Sequence, residues 1–289
     1  HAVIKSCKFL EKMGFRITYL PVSKDGLVDP EDVRKAITDK TILISIMHAS
    51  NEIGTIQPIT EIGKIAEKNG TFFHSDAVQT FGHLQINVDE LNVDLLSISS
   101  HKLCGPKGVG ALYIRKGTRI VSFIHGGEQE RRQRASTENV PAIVGFGKAV
   151  EIAKETMDEE TKKLTILRDK LIKGIFEKIE HVHVNGHLTK RLPNNVNISI
   201  ESVEGESLLL NLDMEGIAAS TGSACSSSSL EASHVLLGLG LSHELAHGSL
   251  RFTLGRYTEE KDIDNVLEVL PKIVEKLRSM SPLWKKGQK

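Results

Sequence analysis

The sequence is short of cysteine, of net charge and of long apolar runs, and each shortage closes off a class of function. Three cysteines in 289 residues, none paired as Cys-x-x-Cys, fit a reducing compartment and exclude a disulfide framework. Lysine plus arginine and aspartate plus glutamate both total 37, a formal net charge of +0. No basic face in bulk therefore points to nucleic acid. No apolar run approaches the ~20 residues of a membrane span, and no signal-peptide pattern opens the chain. Gly105-Pro106-Lys107-Gly108-Val109-Gly110 matches neither G-x-x-x-x-G-K-[ST] nor G-x-G-x-x-G, so nucleotide-loop readings fail. His181, His183 and His187 have no acidic or thiol partner at fixed spacing, and no metal site is expected. What remains is a cytoplasmic globular protein without internal repeats and with core enough for one or two domains. An initiator Met is also missing. His1 opens what reads as the middle of a helix, so the chain is expected to be a piece of a longer polypeptide.

What is present is an alternation of helices and strands. Residues 2–13 carry Val3, Ile4, Cys7 and Leu10 on one helical stripe that stops at Gly14, and Asp29-Pro30-Glu31 opens a second helix to about Thr38. Strands are predicted at 17–20, 42–47, 71–74, 94–98 and 111–114, with a helix at 58–68. Ile42 to Met47 is continuously apolar, as a strand covered on both faces should be. This order predicts an α/β fold: a mostly parallel sheet with helices on both faces. Residues 141–179 read as one long helix with Leu164, Leu167, Leu171 and Ile175 in register, and its most polar stretch marks a domain boundary near 155. A large domain, 1–155, would then precede a smaller α/β domain, 156–289. The smaller domain is predicted to hold strands at 182–184, 195–200 and 218–219, and helices at 207–214, 230–237 and 259–280. Thr258 is expected to cap the last helix.

In open α/β sheets ligands bind beyond the carboxyl ends of the strands. The residues to read are therefore His48-Ala49-Ser50-Asn51, His74-Ser75-Asp76-Ala77-Val78-Gln79 and Ser99-Ser100-His101-Lys102. A lysine between two buried strands is partly desolvated, which lowers its pKa and makes its amine a nucleophile. Lys102 so placed suits a Schiff base with pyridoxal phosphate (PLP), although a surface lysine in a Gly-Pro turn fits the stretch alone as well. Asp76 suits the pyridine nitrogen of that ring, or equally the N-cap of a following helix. Asn51 offers an amide to the phenolic oxygen, or belongs to an ordinary turn. Cys225, in Gly222-Ser223-Ala224-Cys225-Ser226-Ser227-Ser228-Ser229, sits among small residues that cannot bury it, as a mobile nucleophilic thiol should. Cys7 and Cys104 read as structural. Arg251, inside the alternating strand Ser249-Leu250-Arg251-Phe252-Thr253, suits a carboxylate held bidentately, from a substrate or from an acid such as Glu204 or Glu206.

Together these stretches resemble the cysteine desulfurases of the NifS/IscS group, within the fold-type-I PLP enzymes. The resemblance runs through Asn51-Glu52-Ile53-Gly54, the Asp76 and Lys102 motifs, Pro193-Asn194-Asn195-Val196-Asn197, Glu204-Gly205-Glu206-Ser207, the Cys225 motif and Arg251-Phe252-Thr253-Leu254-Gly255-Arg256. It covers essentially the whole chain. It implies removal of sulfur from L-cysteine to give alanine and a persulfide on Cys225, destined for an iron–sulfur scaffold protein. Lys102 would carry the cofactor and act as base, and His101 would move a proton from the substrate thiol. Asp76 would hold the ring nitrogen, Asn51 and Gln79 the phenolic oxygen, and Ser99 and His101 the phosphate. Arg251 and Asn51 would bind the substrate. Thr137 would reach the phosphate of the second subunit of a homodimer.

Two departures accompany the likeness. The glycine-rich loop that the family places before Thr137 appears here as Gly126-Gly127-Glu128-Gln129-Glu130-Arg131-Arg132-Gln133-Arg134-Ala135-Ser136, with bulkier residues at several positions. The family's N-terminal phosphate loop and ring-stacking histidine are expected to lie upstream; His1 falls one residue past the stacking position and takes no role. A selenocysteine lyase, an aminotransferase on the same fold, or a PLP-less fragment are the rival readings, and the aminotransferase has no use for a mobile thiol.

Overall fold

The computed structural model describes residues 1–222, 232–282 and 284. The chain divides into two compact units. One comprises His1–Leu20, Asp29–His48 and Gln57–Met157, the other Pro21–Val28, Ala49–Ile56 and Asp158–Lys289. Among the described residues no helix is long and apolar enough to cross a membrane.

The first unit holds α1 (Ala2–Lys12), α2 (Pro30–Ala36), β1 (Leu43–Ser45), α3 (Ile59–Lys68), β2 (Phe72–Asp76), β3 (Leu95–Ser99), the 3-10 turn Ser100–Leu103, β4 (Gly110–Ile114) and α4 (Gln129–Arg132), whose inner residues are not helical. It also holds the start of α5 (Val140–Lys178). The Asp29 carboxylate accepts the Glu31 N–H at 2.8 Å with Pro30 in the first turn, so the α2 start is local chemistry. The sheet order is β1-β2-β3-β4, the first three strands parallel and β4 antiparallel to β3. Side chains alternate across the pleat. Ile44, Phe73, Ser75 and Leu96 are buried on one face, while α3, beside β2, buries Ile59, Ile62, Ile65 and Ala66.

The opposite face departs from expectation. Leu43 is 46% and Phe72 45% exposed, so helices do not cover both faces of β1 and β2 among the described residues. β1 is an edge strand of three residues, and the continuous apolar run from Ile42 to Met47 reflects neither length nor burial on two sides. Residues 17–20 form no strand, because they pair with no neighbour.

The second unit takes the rest of α5 with β5 (Val182–Val184), α6 (Gly205–Met214), α7 (His234–Gly238), α8 (His243–His247) and α9 (Glu260–Met280). Its remaining strands are β6 (Asn195–Ile200) and β7 (Ser249–Thr253), and the sheet is antiparallel in the order β5-β6-β7. Every residue of central β6 is buried. Leu164, Leu167, Leu171 and Ile175 of α5 join Leu208, Leu212, Leu250, Leu270 and Val274 in one core, as their helical spacing requires. Residues 218–219 are not a strand; only Ser220 bridges to Arg251. The α9 cap also differs. Thr258 Oγ1 accepts the Gly255 N–H, and Glu259 forms a reciprocal capping box with Asp262 instead. The described part of the helix predicted at 230–237 begins at His234, and residues 223–231 lie outside the described chain.

Candidate active site

β2 ends on Asp76 and β3 on Ser99. Their register sets Asp76 opposite Ser97, so His74, Asp76, Ser97 and Ser99 share one face of the sheet. His74 ties three strands together there. Its Nδ1 lies 2.7 Å from Ser45 Oγ on β1 and its Nε2 2.9 Å from Ser97 Oγ on β3. Past Asp76 the chain turns rather than entering a helix. The Val78 N–H donates to Asp76 Oδ1 at 2.9 Å, and the His48 N–H donates to the Asp76 carbonyl at 2.8 Å. Asp76 is thus a turn former through one oxygen, and Gln79 is half-buried in the same turn.

Lys102 lies in the 3-10 turn directly after β3. The turn is anchored by Leu103, which packs with Phe146, Ala149 and Ala153 of α5. Cys104, at φ 60°, closes it, and the Gly105 N–H donates to the Ser100 carbonyl at 3.1 Å. A Cβ on Gly105 would sit 2.3 Å from Ser100 Oγ, so no larger residue fits. Because Leu103 takes the buried place, His101 and Lys102 face outward and both are exposed. This corrects the expectation of a desolvated lysine. Cys104 is also exposed, not buried, while Cys7 on α1 is half-buried. His101 Nδ1 lies 2.9 Å from Ser99 Oγ, which pairs an imidazole with a hydroxyl beside the lysine.

His48, past β1, and His74, at the middle of β2, escaped assignment from the sequence, although both stand inside motifs singled out there. His48 is 6% exposed, with its Nδ1 3.0 Å from Thr80 Oγ1, and burial lowers its pKa from 6.5 to about 4. Burial lowers the His74 pKa as well, against an opposing pull from Asp76. Both rings bind a proton in the unfolded chain before they do so in the folded one. Stability from these sites is therefore complete above pH ~6.5 and is lost as the pH falls towards 4. Urea unfolding at pH 7 and pH 5 is expected to show His48→Gln losing about 2 kcal/mol less than the parent over that interval. An equal loss in the two proteins would refute the assignment.

Thr137 is exposed, after a stretch in which Glu130, Arg131, Arg132 and Ser136 have φ of 48°, 56°, 68° and 89°. These are left-handed conformations that glycine adopts freely and other residues hold at about 1–2 kcal/mol each. Bulky residues thus occupy glycine-like backbone here.

In the second unit Arg251 lies half-buried on β7, opposite Asn197, and its Nη1 donates to the Asn51 carbonyl at 2.9 Å. The Asn51 side chain is exposed. Glu204, one candidate partner for Arg251, instead accepts the Glu206 and Ser207 N–H groups as the cap of α6. Glu52, next to Asn51, is 1% exposed. Burial raises its pKa, while a hydrogen bond from Ser233 and the charge of Arg251 pull it down. Nothing periodic around position 52 signals a buried acid. His181 and His183 both approach Glu201, at 3.5 and 2.7 Å. Asp76, Gln79, Ser99, His101 and Lys102 thus gather at one end of one sheet, and Asn51 joins Arg251. Thr137 sits on neither, and Cys225 lies outside the described residues.

The donor set of the first unit fits PLP. Asp76 would suit a pyridinium nitrogen, Ser99 and His101 would suit a phosphate, and Lys102 is an exposed amine. The family model for class-V aminotransferases matches residues 1–266. Cysteine desulfurase IscS of Dictyoglomus turgidum is 60% identical over 292 residues, covering 100% of this chain and 74% of that protein. Among solved structures, a NifS-like protein superposes with a TM-score of 0.88 at 39% identity, over 96% of this chain and 73% of that one. SspA in complex with cysteine superposes at 0.73 with 38% identity, over 89% and 71%. Agreement of this extent in both sequence and fold shows that the chain belongs to the cysteine desulfurases of the NifS/IscS group, within the class-V aminotransferase family.

Proposed function

We propose that this protein uses PLP to take the sulfur of L-cysteine onto Cys225 as a persulfide, releasing L-alanine, and passes that sulfur to an iron–sulfur scaffold protein in the cytoplasm. The observation that carries the reading is the gathering of Asp76, Ser99, His101 and Lys102 where β2 and β3 end. Bound PLP supplies an electron sink for the pair released at the substrate α-carbon. Asp76 holds the proton on the ring nitrogen, with its Oδ1 already steadied by the Val78 N–H. Ser99 and His101 bind the phosphate as an adjoining pair. Asn51 and Gln79 serve the phenolic oxygen, and Thr137 reaches the phosphate in the second copy of a homodimer.

Lys102 removes the α-proton of cysteine. His101 accepts the thiol proton of the substrate. The Cys225 thiolate then attacks the substrate sulfur. An S–S bond forms as the Cβ–S bond breaks, and the carbon fragment keeps the bonding pair, takes one proton at Cβ and the α-proton back from Lys102, and leaves as alanine. The assay is direct: PLP-loaded protein and cysteine should yield alanine and a persulfide in equal amounts in a single turnover. Keto-acid exchange without sulfur release would overturn the reading in favour of an aminotransferase.

Arg251 binds the substrate carboxylate with its planar fork. Arg251→Lys is expected to raise KM for cysteine about tenfold with kcat little changed, since a point charge replaces a bidentate pair worth ~1.5 kcal/mol. Initial rates over a range of cysteine concentrations check this. An unchanged KM would leave Arg251 a structural residue tied to Asn51.

A further inference from the structure

The proposed chemistry makes no use of Glu52, yet it is among the most buried charged groups of the second unit. Its surroundings link three distant stretches. The Glu52 carbonyl accepts the Asn195 and Asn197 side-chain amides at 3.1 and 3.0 Å, which fixes its backbone to central β6. Its carboxylate Oε1 accepts the Ser233 hydroxyl. Ser233 in turn caps α7, its Oγ accepting the Val235 N–H at 3.1 Å and the Leu236 N–H at 3.4 Å. On the other side lies Gly222, at φ 36°. A Cβ there would be 3.4 Å from Glu52 Oε1 and 3.2 Å from Ser233 Cβ.

Gly222 is the last described residue before the segment bearing Cys225, and Ser233 follows Ala232, the first described residue after it. The Gly222 end is also held from behind, because Ser220 exchanges backbone hydrogen bonds of 3.0 and 2.6 Å with Arg251 on β7. A Cβ on Gly205 would meet Thr221 at 3.0 Å, so α6 presses on the same stretch. Gly222 and Ser233 therefore adjoin, and the Glu52 carboxylate that accepts the Ser233 hydroxyl lies beside Gly222.

We infer that Glu52 is a positioning residue for sulfur transfer: its carboxylate anchors Ser233 beside Gly222 and so sets the base from which the thiol works. The inference rests on Cys225 as the sulfur acceptor for its catalytic consequence, but not for its structural one. Glutamine offers an oxygen at the same place, and alanine leaves the Ser233 hydroxyl without its acceptor.

The test uses the PLP-loaded protein with Glu52→Ala and Glu52→Gln, read by steady-state kinetics, cofactor absorbance and amide hydrogen exchange. Glu52→Ala should lower kcat about tenfold, as loss of one buried hydrogen bond implies, with KM for cysteine and cofactor content unchanged. Val235 and Leu236 amides should exchange about tenfold faster, because their cap has lost its anchor. Glu52→Gln should restore most of both. A Glu52→Ala protein with parental kcat and parental exchange overturns the inference. So does a proportional loss of kcat, KM and cofactor that glutamine does not rescue, which marks a merely structural acid. Failure of the acceptor assignment reads differently: Cys225→Ser would keep its sulfur transfer, while the exchange at Val235 and Leu236 still decides for or against the Glu52 anchor.

Discussion

Lys102→Ala is expected to abolish turnover and the visible absorbance of the lysine-linked cofactor while leaving the fold intact. Both halves follow from position. Lys102 is exposed on a short turn whose packing is carried by Leu103, so truncating it removes little buried surface. Stability should therefore change by less than about 0.5 kcal/mol. The same amine is proposed both to bind the cofactor and to take the α-proton. Loss of a general base alone costs about 10²–10⁴-fold, and the covalent anchor goes with it. Alanine production from cysteine, measured beside the thermal midpoint, separates the two outcomes. Turnover within tenfold of the parent would remove Lys102 from the mechanism, and Lys107, five positions on and also exposed, would be the next to replace.

Cys225→Ser should separate substrate binding from sulfur transfer. At neutral pH an ordinary thiol is a few per cent thiolate, whereas a serine hydroxyl is essentially un-ionised. Sulfur transfer is therefore expected to fall more than about a hundredfold. Cysteine should still bind, because Arg251 and the residues at the ends of β2 and β3 are unaltered, and its spectral titration should match the parent's. Mass spectrometry after a single turnover checks the site of the persulfide. The contrast with the other thiols sharpens the test: Cys104 is exposed on the turn beside Lys102, and Cys7 is half-buried on α1. A persulfide found on Cys104 would transfer the acceptor role to it, and retained transfer in Cys225→Ser would do the same.

Much of the first unit was legible because its signals are local. Asp29-Pro30-Glu31 starts α2 through a side chain reaching two residues ahead, and the parallel pair β1 and β2 follows from short apolar runs on either side of α3. The same locality explains the misses. The run from Ile42 to Met47 looks doubly buried because apolar residues are contiguous, but β1 is an edge, and a strand cannot read its own rank in a sheet. Thr258 has the chemistry of a cap, yet Gly255 offers it a closer donor and Glu259 finds Asp262. Residues 218–219 have the composition of a strand, and pairing stops at Ser220.

The sequence by itself determined which reactive groups stand at which strand ends. Asp76, Ser99, His101 and Lys102 are placed by the two-residue period of β2 and β3 and by the turn that must follow each strand. Those are relations among neighbours, which composition and spacing express directly. Burial and long-range pairing belong to the tertiary structure alone. It turned Lys102 outward by giving the inner place to Leu103, held His48 neutral by enclosing it, and set Glu52 against Ser233, 181 positions away. No local pattern encodes such a meeting, because the free energy that decides it comes from desolvation and hydrogen bonding that exist only once distant segments have closed on each other.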